Sequence, residues 1–150
     1  MFRGSLGSFS LIGCPKLQDI SDIKSCMSLR SVELISLPAA KDLSELFGMN
    51  KLRRFIIKSV GKDFDIKDFD WLRSFTNIEE FSMTNPVQNV DWFVFSNLKN
   101  LKKFQFFYYA NDVDPSKVMP EIIAAAGRTL VRQVARHRPG KVCGYFAEIK

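Results

Sequence analysis

Residues 29–34 read Leu-Arg-Ser-Val-Glu-Leu, and the spacing of their three apolar residues returns along the chain. The shared pattern is Leu-x-x-apolar-x-apolar, and its five copies start at Leu6, Leu29, Leu52, Ile78 and Leu101. Successive starts lie 23, 23, 26 and 23 residues apart, so one copy carries a three-residue insertion between Val60 and Asp68. A fixed period of roughly 20 to 50 residues is the signature of a repeat protein. The chain is therefore predicted to be built from one repeated unit.

Each of the first four copies continues with three more apolar residues, which lie nine, six and three positions before the next start. An aspartate precedes each of these groups, and a fifth follows the last copy: Asp19, Asp42, Asp68, Asp91 and Asp114. An Asp at the start of a short helical turn accepts the free backbone N–H groups of that turn, so we interpret the aspartates as caps. A calcium ladder is the alternative, but the sequence lacks the Gly-rich, multiply acidic turns of calcium repeats.

A short strand followed by a capped helical return cannot bury its apolar side alone, so neighbouring copies must stack around one core. The predicted fold class is an α/β solenoid with about five parallel strands on a concave side and short helical turns on a convex side. The pattern resembles the leucine-rich repeat family over about three quarters of the chain, and it is most similar to bacterial, internalin-like repeats of about 23 residues. The family places an Asn or Cys after each strand, and in this sequence only Cys14 fits that position.

The resemblance implies a non-catalytic protein-binding module, for example an immunity-type inhibitor of a toxin, or an effector or adaptor. Strand side chains alternate, so the residues on the concave side follow from the repeat. The candidate contacts are Ile12, Glu33, Ile35, Arg54, Ile56, Lys58, Glu80, Lys103, Phe107 and Tyr108. The isoleucines and Phe107 form an apolar diagonal within a charged rim, which is typical of protein interfaces. The alternative is a solvated surface without a partner, since folded proteins expose much apolar area.

The carboxy-terminal segment differs from the repeats. We divide the chain into a solenoid, residues 1–115, and a basic helical cap, residues 116–150, within one folding unit. Pro115 and Pro120 each predict a helix start, and apolar spacings of three and four predict a helix from Pro120 to about Arg136. A last short strand is predicted over residues 142–149, and Tyr109 is expected to lie under the cap. The first repeat has no such cap, so a homodimer through that end is one expectation.

The net charge of +6 comes mainly from the cap, where seven Lys and Arg stand against two Asp and Glu. Five of these cations form a candidate basic patch: Arg128, Arg132, Arg136, Arg138 and Lys141. A basic stripe along the predicted helix favours nucleic acid or an anionic surface, which is the alternative function. A solvated outer face and an acidic protein partner are the other interpretations, and no nucleic-acid motif accompanies the stripe.

An enzyme is not predicted, because the sequence holds no catalytic motif, phosphate loop or metal-ligand cluster. No cofactor or metal is expected. The three cysteines are widely spaced, which argues against a disulfide framework; Cys26 is interpreted as a core residue and Cys143 as a moderately reactive thiol. His137 is interpreted as a surface residue. No apolar run reaches the roughly eighteen residues that cross a bilayer, so a cytoplasmic protein is expected.

Overall fold

The computed structural model describes residues 7–26, 28–40, 46, 48–60, 70–110 and 113–150. Within these residues, seven strands form one sheet in the spatial order β1-β2-β3-β4-β5-β7-β6. The strands are β1 (Ser8–Ile12), β2 (Ser31–Leu37), β3 (Arg54–Val60), β4 (Glu80–Val87), β5 (Lys103–Tyr109), β6 (Leu130–Ala135) and β7 (Val142–Ile149). The same residues include one α-helix, α1 (Pro115–Ala125), and three 3-10 helices, Ser21–Ser25, Asp70–Ser74 and Trp92–Asn97.

Strands β1 to β5 are parallel, and each pairs with the next strand in the chain. The pairing joins equivalent positions of the repeat. One row across the sheet is Val32, Phe55, Phe81 and Phe104. All four side chains are buried. A register slip of one residue would turn every side chain of a strand to the other face, so this row shows which face of the sheet is inside.

The fold class predicted from the repeat is wrong. The sheet is mixed, because β7 pairs antiparallel with β5 and β6 pairs antiparallel with β7. It is an open sheet that is neither closed nor curled. The hairpin of β6 and β7 supplies the backbone hydrogen-bonding partners that the edge of β5 would otherwise lack. We therefore call the solvent side of the sheet the open face, in place of a concave surface.

The helix predicted from Pro120 to Arg136 has the wrong bounds. The helix α1 begins at Pro115 and ends at Ala125. Gly127 follows with a left-handed φ of 73° and donates its N–H to the Ala124 carbonyl oxygen at 2.9 Å, which is a common way to end a helix. The next residues form β6, whose β-branched valines favour strands.

Pro120 lies inside α1 and links the helix to the sheet. A proline has no N–H, so the carbonyl oxygen four residues earlier, on Ser116, loses its helical donor. Gln133 of β6 donates to that oxygen from Nε2 at 3.0 Å. Tyr145 of β7 donates its hydroxyl to Gln133 Oε1 at 2.8 Å. One amide side chain therefore joins α1, β6 and β7.

The capping role predicted for the aspartates is confirmed at Asp91 and Asp114, which are the N-cap residues of their helices. Asp19 lies one residue before Ile20, the N-cap residue of the 3-10 helix Ser21–Ser25. The backbone N–H two residues further on donates to Asp19 at 2.8 Å, to Asp91 at 3.0 Å and to Asp114 at 3.0 Å. Several residues of the predicted pattern lie outside the described ranges: Leu6, Asp42, Asp68 and the insertion between Val60 and Asp68.

Asp114 makes the stability of α1 depend on pH. The Ser116 hydroxyl donates to its carboxylate at 2.7 Å, and this bond is the main reason that the pKa of Asp114 lies below its usual range. A lowered carboxylate pKa stabilises the folded chain above the unfolded-state pKa, and this stabilisation is lost as the pH falls through the folded-state value. We expect Asp114→Ala to lower the free energy of unfolding by about 1 kcal/mol at neutral pH. The difference in unfolding free energy between the wild type and this variant should narrow below about pH 4.

Urea unfolding at a series of pH values measures both effects. Asp114→Asn is the matched control, because it keeps a side-chain acceptor without the charge. If the deficit of the alanine variant stays constant as the pH falls below the carboxylate range, the ionised cap does not act as described.

A left-handed residue recurs at equivalent positions of the first three strands. Gly13, Ser36 and Ser59 have φ values of 68°, 56° and 54°, and they lie one 23-residue period apart. The left-handed conformation costs a residue with a Cβ roughly 1–2 kcal/mol. The repeat therefore extends to the backbone geometry at the strand ends.

We expect Ser59→Gly to raise the free energy of unfolding, by up to about 1 kcal/mol after the larger chain entropy of glycine is counted. Thermal and urea unfolding measure the change. Ser31→Gly is the control, since Ser31 lies in β2 without a positive φ, and we expect it to lower stability by about 0.5–1 kcal/mol. If both variants change the free energy of unfolding in the same direction, the left-handed backbone at Ser59 is not strained as described.

Candidate functional site

The two sides of the sheet differ in what packs against them. On the inner side, residues of the 3-10 helices and α1, such as Leu72, Phe95 and Ile123, share one buried core with the strands. On the open face lie the side chains that alternate with that core. By register, nine of the ten predicted contact residues belong to the open face: Ile12, Glu33, Ile35, Arg54, Ile56, Lys58, Glu80, Lys103 and Phe107.

Arg54 organises the charged groups of the open face. Its Nη2 lies 3.7 Å from Glu33 Oε1, and its Nε donates to Glu80 Oε2 at 3.3 Å. Ser10 Oγ donates to the other oxygen of Glu33 at 3.4 Å. These groups are partly exposed, so the pairs add little stability. They do join β1, β2, β3 and β4 in one row of side chains, in which the single guanidinium of Arg54 lies between two carboxylates.

Ile56 does not offer the exposed anchor that the apolar diagonal assumes. The side chain is 3% exposed, and it lines a shallow depression of about 110 Å³ together with Arg54, Lys58 and Lys103. Ile12 is 61% exposed, and Ile35 is half-buried. The diagonal from Ile12 to Phe107 is therefore interrupted in its middle.

A second apolar area lies where β5, β7 and β6 meet. Strand pairing sets Phe107 opposite Gly144, Tyr109 opposite Val142, and Phe146 opposite Val134. We call this group the aromatic patch: Phe107, Tyr109, Val134, Val142 and Phe146. Tyr109, Val134 and Val142 are each between 45% and 49% exposed. Apolar side chains from three adjacent strands thus reach the surface side by side.

Two contacts shape the aromatic patch. A Cβ atom on Gly144 would lie 3.3 Å from Cε1 of Phe107, so the absence of a side chain gives the Phe107 ring its room beside β7. The guanidinium carbon of Arg132 lies 5.8 Å from the centre of the Phe146 ring, within the range of a cation–π interaction. Aromatic residues and arginine are the types that dominate binding energy at protein interfaces.

Of the residues in this patch, only Phe107 is predicted from the sequence as a contact. Tyr109 was expected under a cap and is exposed, because a strand rather than a helix lies beside β5. Val134 was placed on a helix. Residues 142–149 were predicted as a strand, but a strand pattern does not reveal its partner, and the partner decides which side chains meet.

Tyr108 is not a surface contact, so that prediction is wrong. It lies on the inner side of β5, is 1% exposed, and its hydroxyl is 3.0 Å from Nδ1 of His137. Burial is the main reason that the pKa of Tyr108 is strongly raised. His137 was expected at the surface and is instead half-buried against the Tyr108 ring.

The basic patch divides into two kinds of residue. Arg128 donates from Nη1 to the Leu98 carbonyl oxygen at 3.0 Å, and its partial burial lowers the pKa of the guanidinium. It therefore stabilises the end of the 3-10 helix Trp92–Asn97. Arg136, Arg138 and Lys141 are exposed, and Arg132 lies over Phe146 as described. The helical stripe of arginines does not form, because their backbone is a strand and its turn.

The described residues hold no group of three or more His, Cys, Asp and Glu side chains that could bind a metal ion. Cys143 is 4% exposed, and its sulfur accepts the Arg138 N–H at 3.1 Å, so it is not the accessible thiol that the sequence suggested. Cys26 is half-buried beside the core. In the part of the chain that the structure describes, no helix has the length and apolar character to cross a membrane.

No protein family, curated protein or solved structure matches this chain. The resemblance to the leucine-rich repeat family therefore stays a prediction.

The two kinds of arginine predict different responses to substitution. We expect Arg128→Ala to lower the free energy of unfolding by about 1.5–3 kcal/mol, because a carbonyl loses a charged hydrogen-bond donor. We expect Arg136→Ala to change it by less than about 0.5 kcal/mol. Urea unfolding of the two variants measures both changes. Equal losses of unfolding free energy would contradict a structural role for Arg128 that Arg136 does not share.

Proposed function

We propose that this chain is a non-catalytic protein-binding module that engages a protein partner through the open face of its sheet. The observation that carries the proposal is the aromatic patch. Five apolar side chains from three strands share one surface there, and an arginine lies over one of the rings. Core burial does not account for this arrangement, because three of the five side chains are close to half exposed.

The chemistry of the open face fits a protein partner. Aromatic residues contribute large contact areas with few rotatable bonds, and interfaces are enriched in them and in arginine. A sheet of seven strands about 4.8 Å apart is roughly 29 Å wide, which suits the surface of one small domain. The row around Arg54 is internally paired, so we assign it to orientation of the partner and the aromatic patch to affinity.

The nucleic-acid alternative has weaker support. It rested on a helical stripe of arginines, and Arg128 is bonded to Leu98 while Arg132 lies over Phe146. The biological setting of an immunity-type inhibitor, effector or adaptor stays a prediction, and so does a homodimer through the first repeat.

We expect Phe107→Glu and Ile35→Glu each to weaken partner binding at least tenfold. The first places a charge in the aromatic patch, and the second places one beside Ile12, in the other apolar part of the open face. Phe93→Glu is the matched control. Phe93 is 68% exposed and lies in the 3-10 helix Trp92–Asn97, on the other side of the sheet.

The measurement is quantitative co-purification from the source organism with the wild type and the three variants as bait, with circular dichroism to confirm that each variant is folded. A partner retained by the wild type and by Phe93→Glu, but lost by the two open-face variants, supports the proposal. A partner retained equally by Phe107→Glu and Ile35→Glu excludes the open face as its binding site.

A further inference from the structure

The outer edge of β6 is a free strand edge among the described residues. β6 pairs with β7 on one side, and the sheet order places it last. An edge strand presents unpaired N–H and C=O groups that can pair with another extended chain. Val131 is 58% exposed and Val134 is 45% exposed, so apolar side chains on this strand remain in solvent.

The side chains along this edge alternate in a defined way. Arg132, Val134 and Arg136 lie at every second position, and successive members of such a series are about 6.7 Å apart. The Arg136 N–H still bonds to the Gly144 carbonyl oxygen at 3.2 Å, so the strand pairing continues to that residue. A positive, an apolar and another positive side chain therefore follow one another on the open face.

The charges on this edge are not balanced within the described chain. Glu148 lies opposite Arg132 in register, but among the described residues no ion pair joins any carboxylate to Arg132, Arg136 or Arg138. A second copy of this strand would set arginines against arginines, and like charges on paired strands are unfavourable. The opposite sheet edge, β1, reads Ser-Phe-Ser-Leu-Ile and offers no acid either.

A polypeptide fits this edge better than a nucleic acid does. The edge offers backbone donors and acceptors in alternation, and an extended chain supplies the same alternation in return. A phosphate group only accepts hydrogen bonds, so it supplies no donor for the carbonyl oxygens of the edge.

We propose that the free edge of β6 takes an extended acidic segment of a partner protein as an eighth strand of the sheet. The segment carries acidic residues four positions apart, which pair with Arg132 and Arg136, and an apolar residue midway between them, which contacts Val134. The pattern reads the same in both chain directions. This mode of binding goes beyond the proposed function, because it uses the sheet edge and its backbone.

The probe is a synthetic nine-residue peptide with blocked ends, Glu at positions 3 and 7, Val at position 5 and Thr elsewhere. Calorimetric titration measures its binding to the wild-type protein. We expect binding that weakens at least tenfold in the Arg132→Gln/Arg136→Gln double variant. Lys58→Gln is the control, since Lys58 is an exposed cation of the open face on β3, and we expect it to leave binding unchanged. Ile35→Glu is also expected to leave it unchanged, which separates this test from that of the proposed function.

Two further peptides test the strand pairing on the unaltered protein. One is N-methylated at its odd residues and the other at its even residues. Only alternate amides of an added strand face its neighbour, so we expect one of the two peptides to lose binding and the other to keep it. Loss by both peptides, or by neither, overturns strand addition.

Other outcomes also decide against the proposal. Absence of binding at about 1 mM parent peptide, or an undiminished affinity in the double arginine variant, overturns it. A single-stranded oligonucleotide of equal charge that binds as tightly as the peptide would show a general anion site, and this result likewise overturns it.

Discussion

The parallel part of this protein depends on strand register. Val32, Phe55, Phe81 and Phe104 meet in one row because equivalent positions of the repeat pair with each other. The rings of this row contact those of the 3-10 helices, as between Phe95 and Phe104, whose ring centres are 4.6 Å apart. A slip of one residue in any strand would exchange its inner and outer side chains. The same register that closes the core therefore also arranges the open face.

Much of the parallel sheet could be predicted, because a local spacing decides it. The first apolar residues of a copy, such as Val32 and Leu34, are buried, and residues between them, such as Glu33, face outward. The capping aspartates are equally local, since an Asp bonds to the N–H group two residues further on. Neither observation required knowledge of distant contacts.

The carboxy-terminal part could not be predicted in the same way, because distant contacts decide it. Leu130 and Val134 are spaced as on a helix, but a short apolar segment fits a strand as well. The choice depends on β7, which pairs with β6 and β5 together. It also depends on Gln133, whose side chain satisfies the carbonyl that Pro120 leaves without a donor. Nothing in the local sequence links Pro120 with Gln133, although the Gln133 side chain replaces the hydrogen-bond donor that Pro120 lacks.

The two buried tyrosines, Tyr108 of β5 and Tyr145 of β7, link the docking of the hairpin to a spectroscopic signal. Tyr108 bonds to His137 just after β6, and Tyr145 of β7 bonds to Gln133. Burial raises the pKa of both hydroxyls far above the usual value for tyrosine. While the hairpin is docked on β5, both hydroxyls therefore stay protonated at about pH 10, where an unperturbed tyrosine begins to ionise. Exposure of these two hydroxyls therefore adds to the absorbance of tyrosinate at such a pH, without an added label.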